Sequence, residues 1–171
     1  MTQQTIAPGR YRIDPRTASV RFTIKEFFGL NTVRGTLAVR EGEITVAEDP
    51  ARSAVHVAVD AASLTTGRPR RDRDVISRRF LDVARCPELT FASRTIAPTG
   101  AGSAAMAGIM TVRGVAQEVR FEVTESRSSG GEWRLVARAR IDRTAFGVRA
   151  AVPFVDRFVD VEVEITPGVT L

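Results

Sequence analysis

The chain has 171 residues, 43% of them apolar and 26% charged, with a formal charge of +5. That length suits one domain burying roughly 70% of the surface its unfolded chain exposes, and that composition, close to the average of soluble proteins, indicates neither a disordered nor a membrane-embedded chain. The basic excess is almost entirely arginine, with Lys25 the sole lysine. Such a bias, beside abundant Ala and Val, is what a GC-rich genome encodes, so the charge alone argues little for nucleic acid.

Residues 1–9 read as a flexible N-terminal segment ahead of a single domain over 10–171. The start, MTQQTIAPGR, has no basic stretch followed by an apolar one, and no later run nears the roughly 18 apolar residues of a spanning helix. A cytoplasmic location is expected. Period-two alternation then recurs along the chain, the mark of strands with one dry face. Val20, Phe22 and Ile24 alternate with Ser19, Arg21, Thr23 and Lys25, and Val33, Gly35, Leu37 and Val39 alternate with Arg34, Thr36, Ala38 and Arg40. After a turn expected at 41–43, Val55, Val57 and Val59 interleave with His56, Ala58 and Asp60.

Residues 70–91, RRDRDVISRRFLDVARCPELTF, interrupt this pattern. Val75, Ile76, Arg79 and Phe80 recur at roughly helical spacing, Asp72 or Asp74 suits the helix start, and Pro87 lies beyond its end. The patch reads as a short charge-rich helix placed as a lid. Leu89 and Phe91 begin another strand, with a turn expected at 97–100. The segment 101–112, AGSAAMAGIMTV, reads as a strand with little side-chain bulk on either face. Alternation resumes with Val119, Phe121 and Val123, a turn at 128–131, then Trp133, Leu135, Ala137, Ala139 and Ile141. The last strand sets Val159, Val161, Val163 and Ile165 against Asp160, Glu162 and Glu164. One-sided strands joined by short turns pair antiparallel. About eight of them close either as a sandwich or as an up-and-down barrel able to hold one small ligand, and periodicity does not choose.

His56 is the lone histidine and Cys86 the lone cysteine, which excludes a histidine-based triad, a multi-histidine or multi-cysteine metal site and an internal disulfide. Lys25 alternates outward with Arg21 and Thr23, a poor environment for an activated amine. No phosphate-cradling glycine motif occurs. Asp72 and Asp74 lie among Arg70, Arg71, Arg73, Arg78 and Arg79, and such positive surroundings keep carboxylates ionised and make them poor general acids. No enzyme activity, cofactor or metal is expected. Nucleic acid is not expected as a partner, because Phe22, Phe91, Phe121 and Trp133 fall on the dry faces and leave no exposed aromatics between the arginines. The basic amphipathic helix allows transient contact with a membrane surface.

Several stretches in fixed order carry a resemblance: YRIDPRTASVRFTI from Tyr11, FFGLNTVRGTL from Phe27, DAASLTTGRPRRDRDVISRRFLDVARCPELTFAS from Asp60, GIMTVRGVAQEVRFEV from Gly108, and IDRTAFGV from Ile141 followed by VDRFVDVEVEI. Together, from Tyr11 to Ile165, the chain resembles the YceI-like family, lipocalin-type barrels associated with binding polyisoprenoid lipids and related amphiphiles. The central block is the most specific, with its Ser-Leu-x-Thr-Gly run, Arg-Asp pair, Phe-Leu-Asp-Val and later Thr-Phe-x-Ser. Thr17 and Glu26 stand where the family commonly has histidine, Glu118 where it often has proline and Ala145 where it has an acidic residue. These departures bear on the head group bound rather than on the fold.

The resemblance implies an all-β fold, an antiparallel eight-stranded lipocalin-like barrel with a short helical insert near its mouth. It implies non-catalytic binding, carriage or sequestration of a polyisoprenoid, an isoprenoid quinone or a similar long-chain lipophile, by a monomer or homodimer. Phe22, Ile24, Leu37, Val57, Phe80, Phe91, Phe121, Trp133 and Phe146 are the candidates for holding the apolar chain, and Arg71, Asp72, Arg73 and Asp74 for fixing its head. Two rival readings stand beside this one. One is an enzyme or stress-response protein acting on a small lipophilic substrate in the same cavity, and the other an adaptor binding acidic partners through the Arg-rich exterior.

Overall fold

Because dry and wet faces alternate residue by residue, a one-residue slip would turn every apolar side chain outward, so one register is strongly preferred. The computed structural model describes residues 6–170. Its strands are β1 (Gly9–Ile13), β2 (Ser19–Glu26), β3 (Asn31–Val46), β4 (Ala54–Thr65), β5 (Glu88–Gly100), β6 (Ser103–Val112), β7 (Val115–Arg127), β8 (Trp133–Asp142), β9 (Val155–Ile165) and β10 (Pro167–Thr170). A helix, α1 (Pro69–Ile76), lies between β4 and β5.

From β2 to β9 each strand pairs antiparallel with the next, and β9 returns to β2 through Val20↔Val163, Phe22↔Val161 and Ile24↔Val159. Eight strands thus close an up-and-down barrel, which removes the sandwich left open by periodicity. β1 and β10 continue β2 and β9 past interruptions: β1 pairs with the far half of β3, Tyr11↔Ile44, and with β10, Ile13↔Pro167. Among the described residues no helix is long and apolar enough to cross a membrane.

Three local expectations need correcting. Residues 41–43 are not a turn; β3 runs straight through them, with a bulge between Val39 and Glu41 against β4. Gly42 is there because β1 and β4 crowd it: an added Cβ would stand 2.6 Å from Ile13 Cδ1 and 2.9 Å from the His56 carbonyl oxygen. Glycine in a strand marks a bulge or a close approach as readily as a turn. Likewise 97–100 is the end of β5, and the reversal falls at 101–102. The helix begins at Pro69, earlier than Asp72, since proline is favoured in the first turn where its missing N–H costs nothing. It ends at Ile76, with Ser77 as an extended C-cap, so Arg79 and Phe80 lie on the turns that follow rather than on the helix.

Connections after β2, β4, β6 and β8 gather at one end of the barrel, with α1. At the other end Ile13, Val20, Val39, Ile44, Val57 and Ile165 form a packed cluster reinforced by Tyr11 and Leu135. Ile6 is buried, and the Tyr11 hydroxyl donates to the Ala7 carbonyl at 2.6 Å. Residues 1–5 of the expected flexible segment lie outside the described residues.

Candidate ligand cavity

Toward the α1 end the barrel encloses a cavity of about 360 Å³, near the lower bound of small-ligand pockets, about 300–1,000 Å³. Its wall is the inward row of each strand: Phe22 and Ile24 of β2, Val33 and Leu37 of β3, Val57 and Val59 of β4, Phe91 of β5, Met106 and Met110 of β6, Phe121 of β7, Ile141 of β8, and Val159, Val161 and Val163 of β9. The rings of Phe91 and Phe121 meet edge to face, centroids 5.0 Å apart. The Phe22 ring fills the space that a side chain at position 35 would need: a Cβ on Gly35 would stand 2.2 Å from the Phe22 Cζ. β6 is richer in bulk than expected, since Met106 and Met110 supply its inward face while the small residues mostly alternate outward.

Polar groups enter the lining at the α1 end, as Glu26, Thr66, Arg71, Asp74, Thr90 and Arg143. Asp72 fastens α1 to the end of β4. It accepts hydrogen bonds from the Thr66 amide at 2.9 Å, the Thr66 hydroxyl at 2.6 Å and the Thr65 hydroxyl at 3.2 Å. Arg71 Nε in turn donates to the Thr66 hydroxyl at 2.9 Å. Partial burial pushes the Asp72 carboxyl up, but the Thr66 and Thr65 hydrogen bonds and the Arg71 charge outweigh it and hold it below the ordinary carboxylate range. Arg143 is 7% exposed. Its guanidinium donates to four backbone carbonyls, those of Asp156, Val148, Ala150 and Val155, at 2.8–3.0 Å. Burial lowers its proton affinity against the opposing pull of Asp156 and Asp142, yet arginine stays charged in proteins. The cation therefore staples the 148–156 loop over the barrel.

Of the residues singled out in the sequence, Phe22, Ile24, Leu37, Val57, Phe80, Phe91, Phe121, Phe146, Arg71 and Asp74 line the cavity. Trp133 does not. It opens β8 beside the 128–132 turn, at the end away from α1, with the Arg127 guanidinium 5.4 Å from its ring centroid; alternation assigns its face but not its height in the barrel. Asp72 and Arg73 are also absent from the lining. On a helix Arg71, Asp74 and Val75 share one face, which leaves Arg73 exposed, and Asp72 is spent on Thr65 and Thr66. Nothing in the sequence singles out Arg143 or Thr66: an arginine is ordinarily a surface residue, and Thr66 is marked only by its place in the Ser-Leu-x-Thr-Gly run. His56 points outward and is exposed. The lining is thus mostly apolar, with its polar side chains gathered mainly toward the α1 end.

A closed antiparallel barrel of eight strands around an apolar cavity is the architecture of lipocalin-like binding folds. Residues 11–169 match the YceI-like domain model, and the chain belongs to that family. It is similar to UPF0312 proteins of Pseudomonas savastanoi pv. phaseolicola, 32% identical over 117 residues, and Pseudomonas fluorescens, 28% over 131 residues. These matches cover 68% and 73% of this chain, and the first spans about 60% of its relative's length. Among solved structures, Burkholderia cenocepacia BcnA superposes with a TM-score of 0.79 at 20% identity, covering 90% of this chain and 98% of that one. A polyisoprenoid binding domain from Saccharophagus degradans, implicated in plant cell wall breakdown, superposes with a TM-score of 0.68 at 12% identity, covering 95% and 100%. At such identities the shared property is the fold.

Proposed function

We propose that this chain binds a long-chain lipophile, a polyisoprenoid or an isoprenoid quinone, in its barrel cavity and carries or sequesters it without chemistry of its own. The observation that carries this reading is the distribution of the lining: apolar around the whole barrel, polar mainly at the end that bears α1. An apolar chain gains about 0.8 kcal/mol for each methylene taken out of water, while Arg71, Asp74, Thr66 and Glu26 stand where a head group would emerge. The polyisoprenoid binding of the Saccharophagus degradans domain supports the same choice of ligand class.

The rival readings draw less support. Arg143, the most buried polar group in the lining, gives its donors to backbone carbonyls, which favours a structural role over catalysis. Much of the outer arginine charge is neutralised within the barrel wall, Arg21 and Arg138 by Glu162 at 2.6 and 2.8 Å and Arg134 by Glu164 at 2.6 Å, which weakens the case for an acidic partner. The test is mass spectrometry of the protein purified from its native host, intact and after solvent extraction. A stoichiometric isoprenoid adduct is expected in the wild type and should be lost in Phe121→Glu, which sets a charge among apolar walls. A folded Phe121→Glu protein that keeps its adduct would place the ligand elsewhere.

A further inference from the structure

The end of the barrel that carries α1 also gathers large exposed apolar side chains. Phe27, Phe28 and Leu30 of the β2–β3 turn are 54%, 79% and 90% exposed, and Val152 and Phe154 of the β8–β9 loop 50% and 56%. Single exposed apolar residues are ordinary, whereas a contiguous group marks an interaction surface. These two segments touch. The Phe27 amide donates to the Phe154 carbonyl at 2.6 Å, and the rings of Phe28 and Phe154 meet edge-on with centroids 6.3 Å apart. Phe27 and Phe28 also adopt φ of 50° and 59°, a region that bulky side chains rarely occupy. The turn holds its aromatic rings outward against local preference, as functional segments do.

The patch is continuous with the cavity. Glu26 precedes Phe27, and Ala151 and Val155 flank the other loop; all three line the cavity. Its covering partner therefore faces the route by which a ligand enters. Beside Glu26, whose carboxylate accepts from the Asn31 side-chain amide at 2.9 Å, the patch is flanked by cations that point to that partner. Lys25 lays its stem along the turn, its Cδ 4.0 Å from where a Cβ on Gly29 would stand. The guanidinium of Arg140 lies 4.9 Å from the Phe158 ring centroid, and Arg149 is exposed beside Val152. Among the described residues these three cations have no ion-pair partner. A two-fold contact with a second copy would set the same cations against each other. Aromatic and aliphatic side chains rimmed by cations instead suit the interface of an anionic bilayer.

We infer that the Phe27–Leu30 turn and the Val152–Phe154 loop dock the open end of the barrel on an anionic lipid bilayer, with Lys25, Arg140 and Arg149 at the headgroups. The inference rests on the cavity being a lipid site, and it supplies the loading route: the ligand passes from bilayer to barrel without crossing water.

The test is cosedimentation of the whole chain with vesicles of phosphatidylcholine alone and of equimolar phosphatidylcholine and phosphatidylglycerol. Wild type is expected to pellet with the anionic vesicles, Phe28→Ser/Phe154→Ser to bind them about tenfold less, and Lys25→Ala/Arg149→Ala to lose the preference for anionic over neutral vesicles. Leu30→Ser, at the most exposed of these positions, gives a second reading should the double variant fail to fold. Wild type that stays in the supernatant with both vesicles overturns the inference. So does equal pelleting of wild type and the apolar-to-serine variants, or a dimer in sedimentation equilibrium that Phe28→Ser/Phe154→Ser dissolves without vesicle binding by wild type. Uptake of dispersed farnesol, read by displacement of a fluorescent apolar probe, tests the cavity separately. Uptake without vesicle binding overturns docking alone, and vesicle binding without uptake supports docking while overturning the carrier reading.

Discussion

Arg143 carries more of the architecture than its place in the sequence suggests. Four carbonyls of the 148–156 loop accept from one guanidinium, and a buried acceptor left without its donor costs about 1–3 kcal/mol. Arg143→Met is expected to destabilise the protein by roughly 2–4 kcal/mol, not the full sum because the loop relaxes toward water. Thermal unfolding followed by circular dichroism should show the midpoint falling by about 2–4 °C per kcal/mol. Arg143→Lys should not restore it, since an ammonium is a point donor without the planar fork. Unchanged melting in either variant would remove the stapling role. In the sequence Arg143 follows Ile141 at strand spacing, but it lies just past the end of β8, and nothing local separates it from the outward arginines.

At the scale of elements, α1 is held by a few polar contacts rather than by a broad apolar face. No residue of the helix is fully buried, and Asp72 supplies the bonds to Thr65 and Thr66 that tie it to β4. Asp72→Ala is expected to cost roughly 1–2 kcal/mol of global stability through the lost hydrogen bonds, yet to raise hydrogen exchange across 69–76 and speed ligand release. The fastening also depends on pH in a defined sense. The folded-state carboxyl lies below its ordinary value of 3.8, so its contribution is complete above that pH and fades as pH falls through the lowered folded value. Release measured at neutral pH should therefore not vary with modest acidification, and Asp72→Asn should release faster throughout. Strand faces and the presence of a helix were legible because periodicity is local. Boundaries were less so: Gly42 looks like a turn until Ile13, far back in the chain, is seen pressing on it, and the helix start was set by Pro69 rather than by an acidic cap.

For the whole molecule, the cavity makes stability a function of its occupant. A ligand bound only by the folded barrel adds RT ln(1 + [L]/Kd), about 2.7 kcal/mol at a hundredfold excess over Kd. Protein stripped by solvent extraction and refolded is expected to melt below the protein as purified from its native host, and farnesol should return part of the difference. Equal melting before and after stripping would mean that the barrel is stable empty and that no cargo copurified. Periodicity read from the sequence determined the antiparallel class and which side chains face inward, from Val20 through Ile165, because side-chain direction in a strand alternates residue by residue whatever the rest of the chain does. The tertiary structure alone decided the closure of β9 on β2, the space left inside, the burial of Arg143, the apolar rim of Phe28 and Phe154, and the exclusion of Trp133 from the cavity. Each of these depends on how far along the barrel axis a residue sits and what a distant segment places beside it, and alternation carries no information about either.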